Sequence, residues 1–393
     1  MIINTELEKK GNLFPNQIIS YEKDLDTLYF TTQNNVVMQV TVQRDSVLRF
    51  RYTTTGIFDK DFSYGISQKA GEGFNHLEIE ETELHYVITT SKLICKIAKA
   101  NLHKTIFDVK DNHLIYEDEL GFHWEESYKY GGNIVKMSTR AQEAESYYGL
   151  GDKPVENNLK GKRFQNWATD SYAYGRSTDP IYKAIPFYIG LHHKKSYGIF
   201  FDNSFRSFFD FCQERRNITS FWAQGGEMNY YFIYGPEMND VVASYTDLTG
   251  RPYHMPPLWA LGYHQCKWSY YPESKVREVT SKFRELNIPC DAIYLDIDYM
   301  DGFRCFTWNS EFFPDPKGMV KDLKDQGFKT VVIIDPGIKI DKDYWVFKEG
   351  LENDYFCKRA DGPYMKGKVW PGECYFPDFT NPEVREWWAN LFR

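Results

Sequence analysis

The sequence lacks several features that define whole classes of protein. No run of 18 consecutive apolar residues occurs, so we expect no membrane-spanning helix and no membrane partner. Residues 1–20 contain no apolar segment after a basic start, and we expect no secretory signal there. Long basic runs are also missing and the formal net charge is −8, which argues against a nucleic-acid partner.

Cysteine is scarce, and its spacing points to no special chemistry. The seven cysteines are scattered, their number is odd, and none belongs to a CxxC or Cys/His pattern. EF-hand spacing and a zinc-type histidine pair are absent as well. We therefore expect reduced thiols in a cytoplasmic protein that has no metal and no cofactor.

Aromatic side chains are what the sequence has in excess, at 17% of its residues. One explanation is a set of β-rich cores, because aromatic side chains suit pleated, half-buried surfaces. The other is carbohydrate binding, because sugar rings stack on aromatic faces. Composition alone favours the first explanation.

Residues 1–250 are predicted to form an N-terminal antiparallel β-sandwich domain. Several segments alternate apolar and polar residues with a period of two, and no strong amphipathic helix precedes Glu237. Many short strands joined by turns are typical of a sandwich. The segments predicted as strands are residues 48–52, 77–80, 86–97, 105–116 (with a turn at Asp111-Asn112), 195–202 and 228–234.

A proline-rich stretch near residues 251–257 separates this domain from residues 251–393. Apolar segments at residues 258–268, 290–298 and 328–334 alternate with amphipathic segments, which predicts parallel βα units. Only about three of the eight units of a (β/α)₈ barrel fit, so an incomplete barrel with a long insertion after its third strand is expected. Its helices are predicted to begin at Pro272, at Asp315-Pro316 and at Asn381-Pro382.

Acidic side chains mark the predicted ends of these strands, where βα folds place their functional residues. Asp296 and Asp298 end the second strand and are expected to share one of its faces, while Asp335 ends the third. Trp268 ends the first. Carboxylates at a barrel mouth can bind sugar hydroxyls or act as acid and base. Each aspartate alone could be a helix cap or a metal ligand, but the aligned set favours a sugar site.

Six short motifs occur one after another along the chain, and their order supports a resemblance to a known family. Together they resemble glycoside hydrolase family 31, the α-glucosidase family, firmly over residues 145–393 and loosely before them. The motifs are residues 148–152 (YGLGD), 262–270 (GYHQCKWSY), 296–301 (DIDYMD), 334–337 (IDPG), 368–372 (KVWPG) and 376–382 (FPDFTNP).

The resemblance implies a galactose-mutarotase-like sandwich, a catalytic (β/α)₈ barrel and a retaining mechanism on terminal α-linked glucose. Asp296 is similar to the acid that hydrogen-bonds the hydroxyls of the sugar in subsite −1. The substrate implied is an α-linked oligosaccharide or glucoside, and the oligomeric state stays open. The other implied contacts are Ile297 and Asp170 on the +1 side, Asp335 as a polar pocket residue, and Trp268, Ile333 and Trp370 as apolar walls.

The sequence departs from the family pattern at the catalytic residues. The family nucleophile belongs to a Trp-x-Asp-Met-Asn-Glu type motif on strand four, and the acid/base follows later. No such motif occurs in these 393 residues. We therefore expect no catalytic residue before Arg393 and no turnover by this chain alone.

Two alternatives to an α-glucosidase stay open. The same scaffold could serve an α-xylosidase, an α-galactosidase or an α-glucan lyase, because much of the −1 pocket is not in this sequence. A non-catalytic carbohydrate-binding fragment is the other alternative. It is disfavoured because three apolar barrel strands alone would leave large apolar edges exposed.

Overall fold

The computed structural model describes residues 11–67, 77–127 and 132–393. The chain divides into two compact units, Met1–Pro252 and Tyr253–Arg393. The first ten residues of the segment inspected for a secretory signal lie outside the described residues. Each unit has its own sheets and its own apolar core.

The first unit is built from strands that all pair in antiparallel fashion. The predicted antiparallel sandwich is therefore confirmed. Its strands are β1 (Ile18–Asp24), β2 (Thr27–Thr32), β3 (Val37–Arg44), β4 (Val47–Thr53), β5 (Glu78–Glu81), β6 (His85–Thr89), β7 (Leu93–Ala98), β8 (Lys104–Asp108), β9 (Leu114–Glu125), β10 (Ile134–Arg140), β11 (Ser146–Gly151), β12 (Lys162–Asn166), β13 (Ala184–His192), β14 (Lys195–Phe201), β15 (Ser207–Phe211), β16 (Ile218–Ala223) and β17 (Met228–Tyr234).

These strands form two sheets. One has eight strands in the order β1-β2-β3-β4-β17-β14-β13-β11, and the other has nine in the order β12-β15-β16-β10-β9-β8-β7-β6-β5. Residues 86–97, predicted as one run, make two strands because the chain turns after Thr90, whose hydroxyl accepts the Leu93 N–H at 2.9 Å. Short-range hydroxyl bonds of this kind favour turns over continued strand.

Aromatic rings fill the space between the two sheets. Tyr52 of β4 stacks on Phe122 of β9 with ring centroids 4.5 Å apart, and Tyr116 of β9 meets Phe232 of β17 at 5.4 Å. Much of the high aromatic content is thus core packing, as composition favoured. The other fully buried aromatic side chains of this unit are Phe30, Phe50, Tyr147, Tyr188, Phe201, Phe209, Phe211, Phe221 and Tyr230.

One buried ion pair lies in this aromatic core. Lys104 Nζ is 2.5 Å from Asp118 Oδ2 and 2.8 Å from the Tyr52 hydroxyl, and both charged side chains are fully buried. Burial alone would lower the pKa of Lys104, but the Asp118 carboxylate outweighs it and raises that pKa above its ordinary value. Burial also raises the pKa of Tyr52 to about 12.

Among the described residues of the first unit, one α-helix, α1 (Met238–Thr249), covers the outer face of the eight-stranded sheet. Its Tyr245 stacks on Phe187 of β13 at 3.9 Å, and its Val241 and Leu248 are buried against the same face. The helix begins directly after Glu237, and the sequence predicted no strong amphipathic helix before that residue.

The second unit begins as βα units with a parallel sheet of order β18-β19-β20. An antiparallel sheet of order β21-β23-β22 follows the third parallel strand. Its elements are β18 (His264–Gln265), α2 (Glu273–Glu285), β19 (Ala292–Leu295), α3 (Pro316–Asp325), β20 (Lys329–Val332), β21 (Ile338–Lys339), α4 (Trp345–Glu352), β22 (Lys366–Val369), β23 (Gly372–Tyr375) and α5 (Pro382–Asn390).

The predicted starts of the helices are confirmed. Asp315 Oδ1 accepts the Gly318 N–H at 2.9 Å, and Asn381 Oδ1 accepts the Glu383 N–H at 2.9 Å. Each cap satisfies a backbone donor that has no partner within its helix, and a proline follows each at the first helical position. Gly327, with φ of 85°, ends the turn after α3 as predicted.

The predicted strand over residues 258–268 is wrong for most of its length. The Ala260 N–H donates to the Pro257 carbonyl, and Leu258–Leu261 forms a short 3₁₀ turn. Only His264–Gln265 pairs with β19. A short apolar run fits both a strand and a helical turn, so the pattern alone did not separate them.

Two findings concern the chain as a whole. Within the part of the chain that the structure describes, no helix is both long enough and apolar enough to cross a bilayer. All seven cysteines lie among the described residues, and none of them forms a disulfide.

Candidate functional site

The carboxyl ends of the three parallel strands lie at one edge of their sheet. β18 is followed by Cys266, β19 by Asp296 and β20 by Ile333. The Ile333 N–H donates to the Leu295 carbonyl at 3.2 Å, so the pairing between the strands continues to the level of Asp296. Ligands in parallel α/β folds bind at this edge.

Asp296 begins a turn rather than continuing the strand. Its Oδ1 accepts the N–H of Ile297 at 2.7 Å and so caps the 3₁₀ turn Ile297–Tyr299. The prediction that Asp296 and Asp298 share one face of a strand is therefore wrong, because the strand already ends at Leu295. Asp296 is half-buried, which leaves part of its carboxylate open to a ligand.

The negative charge of Asp296 acts on groups at both neighbouring strand ends. Burial raises the pKa of Asp335, and the charge of Asp296 raises it further. Burial likewise raises the pKa of the Cys266 thiol, again with a contribution from Asp296. The charge of Asp296 therefore contributes to the raised pKa of a group on each side of it. The sequence predicted Asp296 and Asp335 but treated Cys266 as an ordinary thiol.

Trp268 is fixed at one edge of its ring, whereas the ring itself is open. Its Nε1 donates to Asp298 Oδ2 at 3.0 Å, while 70% of the residue is exposed. An indole that is held by its N–H and exposed elsewhere can stack on an apolar face of a ligand. Asp298 thus positions the tryptophan.

Hydrogen bonds join the loops that follow the second and third strands. The Tyr299 hydroxyl donates to the Ile333 carbonyl at 2.9 Å, and Cys305 Sγ donates to the Asp335 carbonyl at 3.0 Å. Farther along, Arg304 Nε donates to Asp341 Oδ2 at 3.0 Å. These bonds hold the backbone of the candidate site in place from more than one loop.

Trp370 lies at the turn of the β22–β23 hairpin and is 65% exposed. That hairpin packs onto the chain just after Asp335, because a side-chain carbon added at Gly337 would lie 2.6 Å from Val369 Cγ2. Gly337 therefore permits a close approach that no larger residue would allow without displacing the hairpin.

The two predicted apolar contacts Ile297 and Ile333 differ in exposure. Ile297 is only 4% exposed and belongs to the core with Leu295 and Tyr299. Ile333 is half-buried and packs against the same core. Ile297 thus offers less surface to a ligand than Ile333 does, and the contacts proposed for both stay predictions.

Asp170 belongs to the first unit, in the exposed segment between β12 and β13. Partial desolvation and a hydrogen bond with Asp170 raise the pKa of Tyr182, whose hydroxyl also donates to the Ser171 carbonyl at 3.0 Å. The contact of Asp170 with a +1 sugar stays a prediction.

Both units match domains of one enzyme family. Residues 253–393 match the glycosyl hydrolases family 31 TIM-barrel domain, and residues 37–210 match the glycosyl hydrolase 31 N-terminal galactose mutarotase-like domain. The chain belongs to glycoside hydrolase family 31. The predicted family and fold class, a mutarotase-like sandwich followed by the start of a TIM barrel, are confirmed.

Relatives with assigned activities cover most of this chain. Alpha-glucosidase 2 of Bacillus thermoamyloliquefaciens is 37% identical over 355 residues, which is 90% of this chain and 44% of that protein. Alpha-xylosidase 1 of Arabidopsis thaliana is 32% identical, over 80% of this chain and 33% of its own length. The chain thus spans less than half the length of either relative.

A solved structure supports the same grouping. A family 31 dextranase of Flavobacterium johnsoniae, complexed with isomaltotriose, superposes with a TM-score of 0.86 at 32% identity. The match covers 96% of this chain and 46% of the dextranase chain.

Proposed function

We propose that this chain supplies the sandwich and one side of the sugar pocket of a retaining α-glucosidase that releases terminal, non-reducing α-linked glucose. The observation that carries the proposal is the position of Asp296, which directly follows β19, the central strand of the parallel sheet β18-β19-β20. Support for glucose comes from the 37% identity to a bacterial α-glucosidase.

In this proposal Asp296 binds the sugar in subsite −1. A carboxylate accepts hydrogen bonds at both of its oxygens, so it can hold two neighbouring hydroxyls of one ring. Charge-assisted bonds of this kind are about twice as strong as neutral ones. Asp335, whose pKa is raised by burial and by Asp296, adds a second polar group to the same pocket.

The exposed tryptophans supply apolar walls in this proposal. Trp268 is held through its indole N–H by Asp298, which leaves the ring free to stack on a sugar. Trp370 extends from a hairpin that follows Asp335 in the chain. Ile297 and Ile333 at the strand ends and Asp170 on the sandwich are the remaining contacts that we propose.

We expect no turnover of an aryl α-glucoside by residues 1–393 alone, since the nucleophile motif of the family does not occur in them. Activity is therefore tested in a chimaera in which this chain is followed by the remaining part of the Bacillus relative. The chimaera should hydrolyse 4-nitrophenyl α-glucoside. Turnover by residues 1–393 that is lost on mutation of a residue within them would contradict the proposal.

The role of Asp296 is tested in the same chimaera. Asp296→Ala should lower kcat/KM at least about 100-fold, which corresponds to ~2.7 kcal/mol of transition-state stabilisation. The matched control is Asp325→Ala, which removes an exposed carboxylate at the end of α3 that pairs with Lys321. Equal activity of the two variants would exclude Asp296 from the pocket.

The sugar specificity of the same pocket is the finer question. The Arabidopsis relative named alpha-xylosidase keeps the xylosidase alternative open. A panel of aryl α-glucoside, α-xyloside and α-galactoside separates these alternatives in the chimaera, and a lyase would release an unsaturated product instead of glucose. We expect the glucoside to be preferred.

A non-catalytic carbohydrate-binding module is the alternative from another class. Calorimetric titration of residues 1–393 with maltose tests it directly, and millimolar or tighter binding would favour the module. A cytoplasmic location, suggested by reduced thiols, stays a prediction.

A further inference from the structure

Three histidines meet at the edge of the sandwich where its two sheets approach each other. His113 lies in the turn between β8 and β9, strands of the nine-stranded sheet. His192 ends β13 of the eight-stranded sheet, and His193 begins the turn that leads into β14. Their rings are close, with centroids 4.9 Å apart for His113 and His193 and 5.3 Å apart for His192 and His193.

One ring nitrogen from each histidine points into a common space. His192 Nδ1 and His193 Nδ1 are 3.1 Å apart, and the nitrogens of all three residues lie within 4.8 Å of one another. His113 Nε2 is buried and has no hydrogen-bond partner. A buried nitrogen without a partner is uncommon in folded proteins and calls for an explanation such as an ion.

The surroundings of His192 favour its Nδ1 as a ligand atom. Its Nε2 lies 2.9 Å from the Ile115 carbonyl, and because a carbonyl only accepts, that nitrogen carries the proton. The lone pair is then on Nδ1. A backbone carbonyl on the far nitrogen is the usual support of a metal-binding histidine.

We propose that His113, His192 and His193 form a binding site for a divalent transition metal, with zinc as the ion that best fits three imidazoles. Zinc binds histidine nitrogen at about 2.0–2.1 Å, so two ligands in a tetrahedral site lie roughly 3.4 Å apart. The 3.1 Å between His192 and His193 is close to that spacing. The His113 nitrogen would have to move closer to become the third ligand, since the three nitrogens lie within 4.8 Å of one another.

The fourth position of the site faces solvent, because His193 is exposed. Two lysines follow His193 along the hairpin: Lys194, which is exposed, and Lys195, which pairs with His192 across β13 and β14. The charge of Lys195 is balanced by Asp108 at 2.6 Å and Asp111 at 2.9 Å.

The metal would connect the two sheets, because His113 comes from one sheet and His192 and His193 come from the other. A ligand that binds only the folded state stabilises it. We therefore expect zinc to raise the midpoint of thermal unfolding of the sandwich. This effect is independent of glycosidase activity, so it can be tested without substrate.

The test is a calorimetric titration of the EDTA-treated chain with Zn²⁺. It is made in a Cys266→Ser background, which removes the one exposed thiol among the seven cysteines. We expect one Zn²⁺ per chain with a micromolar or lower Kd and a higher unfolding midpoint. Co²⁺ should give the d–d absorption bands of a low-symmetry site.

The variants separate a built site from loose binding to adjacent histidines. His193→Asn keeps a residue type that tolerates the positive φ of this turn position, 48°, and removes the ligand. His113→Gln removes the ligand that the nine-stranded sheet contributes. We expect each to weaken Zn²⁺ binding at least tenfold, whereas the matched control, exposed His254→Ala, should leave it unchanged.

Two results would overturn the site. One is the absence of stoichiometric Zn²⁺ binding in the parent chain. The other is binding that survives both His193→Asn and His113→Gln, because the ion would then be held elsewhere. If Zn²⁺ binds stoichiometrically but leaves the midpoint of thermal unfolding unchanged, the claim that the ion connects the two sheets is contradicted.

Discussion

Two central strands of the sandwich and the last parallel strand of the barrel portion differ in burial. In the sandwich, every residue of β4 and of β17 is buried. In the barrel portion, β20 has one exposed and three half-buried residues, although parallel strands are ordinarily covered on both faces. The central strands of the sandwich are therefore closed to solvent, whereas β20 leaves part of its surface open.

Charged groups also serve the two units differently. Lys104 and Asp118 are paired in the sandwich core, where they affect stability. Asp296 and Asp335 lie half-buried at strand ends, where a ligand can reach them. Under the proposed function, the second unit provides most of the sugar contacts and the first unit mainly provides structure. The predictions below test that division.

The largest expected effect is on the buried ion pair. Asp118→Asn leaves the Lys104 charge buried without its partner, and we expect a loss of about 3–5 kcal/mol in the free energy of unfolding. Asp296→Asn, at a half-buried position where asparagine can still cap the turn, should cost under ~1 kcal/mol. Denaturant unfolding followed by fluorescence compares the two. Equal costs would contradict the contrast between the units.

The second prediction concerns acid sensitivity of the sandwich. Burial lowers the pKa of His123 from 6.5 to about 4, so the unfolded chain takes up this proton first as the pH falls. Stability should therefore decline by roughly 3 kcal/mol between pH 6.5 and pH 4. His123→Gln should remove that part of the decline in pH-dependent unfolding curves. Exposed His254→Gln is the control and should keep it.

The third prediction addresses local order in the barrel portion. Asp315→Ala removes the side-chain acceptor at the start of α3 and should cost about 1 kcal/mol. Faster hydrogen exchange of the α3 amides measures this loss. Asp325→Ala at the other end of the helix should change the exchange far less. Equal exchange rates in the two variants would mean that packing, and not the Asp315 cap, stabilises the start of α3.

The smallest effect is electrostatic and tests the coupling within the site. Asp296→Asn removes a negative charge that raises the pKa of Asp335, so that pKa should fall toward its ordinary value. Carboxyl carbon chemical shifts followed against pH measure it. An unchanged Asp335 titration would show that the two carboxylates do not interact.

The sequence specified elements whose patterns were unambiguous. Residues 228–234, predicted as a strand, form β17 over the same span. The Asp315-Pro316 pair fixed the start of α3 because capping is a local interaction. The start of the first barrel strand was wrong, because an apolar run after Pro257 fits two conformations.

The arrangement of the candidate site was only partly readable from sequence. Strand-end position and family resemblance identified Asp296 and Asp335. The hydrogen bond between Trp268 and Asp298 depends on a turn that the period-two pattern did not predict. The histidine cluster is still less accessible, because His113 and His192 are far apart in sequence and meet only when two sheets pack together.

The most direct test of the central claim is a crystal structure of the chimaera with bound glucose. We expect the Asp296 carboxylate within about 2.6–3.2 Å of two hydroxyls of one glucose ring, with Trp268 and Trp370 beside it. Glucose bound at the strand ends without a hydrogen bond to Asp296, or bound elsewhere, would contradict the account.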